Sequence, residues 1–332
     1  MNRHRILRSF VAPLALAAAL PISAFAAAPA SSALALVPND AVTVGMIRFS
    51  DLRSGALSSV LLQNTDNITA DGDAQKFLTD AGLQPMKDID TLVVATSPRT
   101  ALGSDAEILI IAEGRYNVDR LTNALVSRGA VAKKATGGSY FTIPEAKHDG
   151  ETGAVAFPDG HLAILGSEAA VVEALGSRAS GGTTFRGASA LGRDLARIDA
   201  HATAWAVVDV PRASRLTGGA HIAGGSKSTQ AAAVSSAMKN VSTVAMWAID
   251  AGDSLKLGAF GLTHDADTQQ LLEDTLRGAL SAMRLAAQEK SPDLVSVLRH
   301  FTVTHSDDGV SISGSVPAET LKTFAAKAHA SR

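Results

Sequence analysis

Cysteine is absent from all 332 residues. This excludes a disulfide framework, a cysteine-built zinc or iron–sulfur site, a thiol nucleophile and a lipidated anchor cysteine. A surplus of basic charge is missing as well, since 30 Lys and Arg stand against 32 Asp and Glu. Nucleic-acid binders need a basic face to displace condensed counterions, so no nucleic-acid partner is expected. Beyond the N-terminal stretch, no apolar run reaches the roughly 18 residues that suggest a membrane span. The longest helical candidate, 265–290, is interrupted by Gln269, Gln270, Glu273, Asp274, Arg277 and Arg284. Also missing are a Gly-x-Ser-x-Gly elbow, a His-Glu-x-x-His pair and any tight ligand spacing among the histidines, so neither a cofactor nor a metal is expected.

The N-terminus carries a different kind of information. Arg3, Arg5 and Arg8 precede an apolar run over 9–20, and Ala24-Phe25-Ala26 supplies the small-x-small pattern of a cleavage site. Residues 1–26 are read as a signal peptide, and the protein is expected to be periplasmic or secreted, with no membrane span in the mature chain. Its removal leaves 27 basic against 32 acidic residues, formally −5. Residues 27–36 (AAPASSALAL) are small and low in information, and are expected to form a disordered linker. An apolar share of 46% places the remainder among globular chains, which at this length can bury a core without disulfides.

Apolar runs and turn residues alternate along the rest of the chain. Strands are expected over 41–49, 90–97, 107–114, 203–210, 241–250, 255–262, 301–305 and 310–314, with short ones near 130–134, 139–143, 153–157 and 161–165. Asn117 and Ser167 stand where helix N-caps belong. Pro158-Asp159-Gly160 suits a hairpin turn. Three segments recur in order: Val44–Ser50 matches Trp205–Pro211, Met86–Thr91 matches Met238–Thr243, and Leu162–Ser167 matches Val310–Ser315, at offsets of 161, 152 and 148 residues. The pattern predicts an α+β fold of two tandem ferredoxin-like β-α-β-β-α-β-type lobes, over 37–177 and 188–330, the second a pseudo-repeat of the first. The sheet is expected to be mostly antiparallel with helices packed on one face, and the Gly/Ser-rich stretch 176–187 to mark the boundary.

Motifs with chemical potential are sparse. Ser236-Ala-Met-Lys239 has the Ser-x-x-Lys spacing of serine acyl-enzymes, which places a hydroxyl beside a lysine base, but the partner motifs Ser-Asp-Asn and Lys-Thr-Gly are absent. The Gly-rich stretch 219–228 displaces its lysine from the phosphate-loop position. The oxygen-rich loop 66–73 lacks the alternation and distal Glu of a calcium loop. A charged run over 144–151 offers Glu145 with Glu151, or His148 with Asp149, as acid/base couples, and also reads as the wet tip of a hairpin. The stripe Leu272, Leu276, Ala279, Leu280, Met283 and Ala287 reads as helix packing on a sheet, and Trp205 and Trp247 as buried strand residues.

Val37-Pro-Asn-Asp40, Lys87-Asp-Ile-Asp90, Glu113-Gly-Arg115 and Leu165-Gly-Ser-Glu168-Ala-Ala170 together resemble a family of exported bacterial proteins of unknown function, of the kind found in acidobacterial genomes. The resemblance implies export and fold, and carries no catalytic residue. The leading expectation is a non-enzymatic binding or scaffolding protein of the bacterial envelope, with an envelope protein or a small apolar ligand as its partner. The alternatives are a serine acyl-enzyme using Ser236 and Lys239, and a carrier that holds an apolar ligand between the lobes.

Overall fold

The computed structural model describes residues 31–55, 58, 72–99, 106–148, 151–183, 185–216, 237–288 and 292–330. Twelve strands form one sheet: β1 (Thr43–Arg48), β2 (Ile89–Pro98), β3 (Ala106–Gly114), β4 (Val131–Ala135), β5 (Gly138–His148), β6 (Glu151–Asp159), β7 (Leu162–Ser167), β8 (Ala204–Asp209), β9 (Thr243–Asp250), β10 (Ser254–Leu262), β11 (Thr302–Ser306) and β12 (Gly309–Pro317). Their order across the sheet is β11-β12-β10-β9-β8-β1-β2-β3-β7-β6-β5-β4. The first and second halves of the chain meet at β1 and β8, which pair antiparallel with Val44 opposite Val207 and Met46 opposite Trp205. Outward from this seam the order runs β2, β3, β7, β6 on one side and β9, β10, β12, β11 on the other, with β5 and β4 extending the first.

The α+β class and the large antiparallel sheet agree with the sequence pattern. Every pairing among the described strands is antiparallel. Short connections favour this: Ala251–Asp253 between β9 and β10, and the Asp307-Asp308 turn between β11 and β12, are too short for the crossover that parallel neighbours require.

Strict alternation decides what each sheet face does. Val44 and Met46 of β1, Val93 and Ala95 of β2, Leu109 and Ile111 of β3, and Trp205 and Val207 of β8 are all buried on one face. The helix Glu168–Ala179 covers that face through Val171 and Leu175. Its N-terminus is set by Ser167, whose hydroxyl accepts a hydrogen bond from the Ala170 amide at 3.2 Å. Glu168 in its first turn accepts from Lys133 at 2.7 Å and from the Tyr140 hydroxyl at 2.8 Å, which ties the outer strands β4 and β5 to the helix. The hairpin joining those strands passes so close that a Cβ on Gly137 would lie 2.1 Å from the Leu175 carbonyl oxygen, and its φ of +94° also demands glycine.

Part of the expected linker belongs to this core. Residues 27–36 are not a disordered linker where they are described. Ser32–Leu36 forms a 3-10 helix, with Leu34 wholly buried and Leu36 nearly so. Glu113 holds its start, accepting from the Ser31 hydroxyl and the Ala33 amide at 2.9 Å each and from the Ser32 hydroxyl. Two leucines in a field of alanine and serine are enough to dock the turn once the sheet supplies a surface. The Gly/Ser-rich stretch 176–187, expected to mark the boundary between the halves, lies between β7 and β8 along the chain. The helix runs on to Ala179, and Phe185, Leu191, Leu195 and Ile198 then pass beneath the seam into the same core.

Helices occupy the other face as well, which corrects the expectation of one covered side. Val244 neighbours Ala245 in β9 and so points oppositely. It packs with Val241, Val303 and Val310 against Leu272 of the helix Ala266–Gln288. In the predicted stripe, Leu272, Leu280 and Ala287 are buried while Met283 is exposed. Glu273 is buried beside Arg277 and lies 2.9 Å from Nδ1 of His305 on β11. Among the described residues, no helix is long and apolar enough to cross a membrane.

Two outcomes are expected. Leu34→Ala should lower unfolding free energy by about 2–5 kcal/mol, the range for a large-to-small change in a packed core, read as a shifted denaturant midpoint. Glu168, held by Lys133 and then Tyr140, has its carboxyl pulled below the ordinary glutamate range. A depressed folded-state pKa stabilises at neutral pH, and this contribution is lost as the pH falls through it. Glu168→Gln should therefore cost under about 1 kcal/mol at neutral pH, the group being partly solvated, and the difference from wild type should vanish in acid.

Candidate functional site

A trough of about 560 Å³ crosses the seam on the sheet face opposite the main core. It follows from which side chains the register brings together. One cross-strand row reads, from β10 to β2, Leu257, Ala248, Ala204, Ile47, Leu92. The neighbouring row reads Ala259, Met246, Ala206, Gly45, Val94. Alanine and glycine gather over β9, β8 and β1, while larger side chains stand around them. The floor is low because those side chains are short, and the surroundings are apolar throughout. Its volume falls within the ~300–1,000 Å³ typical of ligand sites.

The apolar rim is exposed to a degree that asks for explanation. Met246 retains 45% of its accessible surface, Ile47 and Val94 36% each, and Ile108 on the same face of β3 45%. Single exposed hydrophobes are ordinary, but contiguous ones mark interaction surfaces. One end of the trough is built up by Phe301, just after the helix Pro292–Arg299. Its ring lies over Gly314, where a Cβ would fall 2.5 Å from a ring carbon. Arg284 holds this corner, donating to the Leu298 carbonyl from Nε at 3.0 Å and Nη2 at 2.8 Å, and to the Phe301 carbonyl at 3.0 Å.

A second concavity of about 580 Å³ is polar and lies where the N-terminal turn meets β3 and the β6–β7 hairpin. Its charged groups already have partners. Glu113 takes the donors described above, Arg178 pairs with Asp159 at 2.9 Å, Asp90 pairs with Arg53, and Nδ1 of His161 lies 3.1 Å from the Gly114 carbonyl oxygen. Nearby, burial and then the charges of Asp90, Glu113 and Asp88 push the Tyr116 phenol well above its ordinary range, so it stays protonated.

Most of the residues singled out in the sequence lie outside the described residues. Ser236 lies outside the described residues. Lys239 sits in the three-residue 3-10 helix Met238–Asn240, and its side chain is outside the description. The stretches 219–228 and 66–71 and Asp149 are also outside it, while Asp73 belongs to the helix Gly72–Ala81. His148 stands across from Glu151 at the end of β5. Trp205 and Trp247 are cross-strand partners facing the main core. Among the described residues, no group of three His, Cys, Asp or Glu could hold a metal ion. The trough was missed because the sequence reading sought reactive side chains. Its signal is present in Ala204-Trp-Ala-Val-Val208 and Val244-Ala-Met-Trp-Ala248, strands that are apolar at both alternating registers.

No protein-family profile matches the chain, and no curated protein matches it. Among solved structures it is similar to TP0453 in crystal form III, with a TM-score of 0.50 and 11% identity over 88% of this chain and 97% of that one. Crystal forms IV and I of TP0453 align with TM-scores of 0.46 and 0.44, each at 12% identity, covering 88% of this chain and 95% and 96% of theirs. At 11% identity the form III likeness shows a common fold alone.

Arg284→Ala should leave the Leu298 and Phe301 carbonyls without their charged donor. An expected loss of about 1–3 kcal/mol should be accompanied by faster amide exchange across Pro292–Arg299 than in the main sheet.

Proposed function

We propose that this protein is a non-catalytic, extracytoplasmic carrier that binds a small apolar ligand in the trough at the β1–β8 seam, between its two halves. One observation carries the reading. Among the described residues, the polar groups along the floor are backbone amides and carbonyls, already paired in the ladder, so the surface gains most by covering an apolar molecule. Export rests on the charged, apolar, small-x-small N-terminus. The tandem-repeat reading draws support from the common outward strand order and from where the three sequence matches fall, at β1 with β8, at the starts of β2 and β9, and at β7 with β12. The acyl-enzyme alternative rests on Ser236 and Lys239 alone, and labelling of Ser236 by a fluorophosphonate would replace the carrier reading.

The direct test is titration of the purified protein with parinaric acid, a fluorescent fatty acid. Saturable binding is expected. Ala206→Trp, which fills the middle of the floor from an already open position, should weaken it at least tenfold while leaving the thermal midpoint within a few degrees of wild type. Absence of saturable binding, or binding indifferent to Ala206→Trp, would overturn the proposal.

A further inference from the structure

We infer that the ligand is one unbranched alkyl chain lying extended across the strands, its methyl end stopped by Phe301. This deepens the carrier reading and rests on it. Three observations select the chain. The first is width. Two rows two residues apart along each strand, about 6.7 Å centre to centre at a strand's rise per residue, make the floor, and its short positions Ala248, Ala204, Ala206 and Gly45 are hemmed by Leu257 and Ile47 in one row and Met246 and Val94 in the other. A strip that narrow seats one methylene chain and leaves little room for branches. The second is length. The trough runs over β10, β9, β8, β1 and β2, and four inter-strand spacings amount to roughly 19 Å, a path that suits a long chain. The third is chemistry. A mid-chain hydroxyl turned to the floor would leave water and find no partner there, a loss worth more than an order of magnitude in affinity.

Direction follows from the two ends. At β12 the rows continue as Gly314, roofed by the Phe301 ring, and Ile312, which packs against the far helical cluster. At β2 and β3 the exposed Val94 and Ile108 leave the way to solvent open. A polar head group therefore stays in water at the β2–β3 end while the tail runs toward Phe301.

The test is competition against bound parinaric acid by unbranched fatty acids from octanoic to eicosanoic acid, alongside phytanic acid, a mid-chain hydroxystearic acid and cholesterol. Affinity should climb by up to about fourfold per methylene and then level off. Phe301→Ala should move the levelling point to longer chains, and Ala259→Leu, which fills the blind end, to shorter ones. Circular-dichroism melts show that each variant is folded, and the opposite shifts cannot both come from destabilisation. The branched, hydroxylated and sterol competitors should each be at least tenfold weaker than the best straight chain. If the probe binds and is lost in Ala206→Trp, but branched acids and cholesterol compete equally or neither variant moves the levelling point, the single-chain inference fails and the carrier reading stands. If the probe does not bind at all, both fail.

Discussion

The antiparallel pairing of β1 with β8 is the contact on which the architecture depends. Without it each half would present an unpaired sheet edge and an unfinished core, because Met46 and Trp205 complete one buried layer from opposite halves. With it, twelve strands share one ladder, and residues 185–198 and the N-terminal turn gain a common surface to cover. A free edge in the middle of the chain's sequence is thereby converted into the middle of its sheet.

The same pairing places the trough. Strands at the centre of a wide sheet are expected to be apolar on both faces when both are covered. Here β1, β8 and β9 are apolar on both faces, yet described helices cover one face and, on the other, only the flank over β10–β12. The polar crevice near Glu113 shows the contrast. Its groups neutralise and bond one another, so its chemistry is spent on holding the N-terminal turn. The trough has no internal partner of that kind. What distinguishes it is the size of its side chains: Gly45, Ala204, Ala206 and Ala248 stand where valine or isoleucine would otherwise complete a flat sheet.

Much of the local structure was legible because short-range chemistry dictates it. Ser167 and Asn117 cap the helices anticipated for them, and β6 turns into β7 at Asp159-Gly160 with Asp159 accepting from the His161 amide. The three repeated segments were legible too, and they fall on β1 and β8, at the starts of β2 and β9, and on β7 and β12. Strand order was not legible, since it depends on which edges meet in space, and propensity does not encode that. The N-terminal turn escaped notice because its burial depends on Glu113 and Thr183, residues far along the chain. The trough escaped because it is defined by small side chains that become neighbours only through register. Of the reactive residues considered, Ser236 and the side chain of Lys239 lie outside the described residues.

The docked N-terminal turn has a consequence for assembly. Ser31 bonds Glu113 across 82 positions, and the Val37 carbonyl accepts from the Thr183 hydroxyl across 146. A segment that is synthesised early is therefore among the last to find its place, since its leucines stay wet until the chain has been delivered through Ile198. Long loops must close before that layer can set, which makes folding slow relative to a helical protein of equal size. During that interval the nascent protein presents two exposed leucines in a defined stretch, the part of the chain that most needs shielding from association.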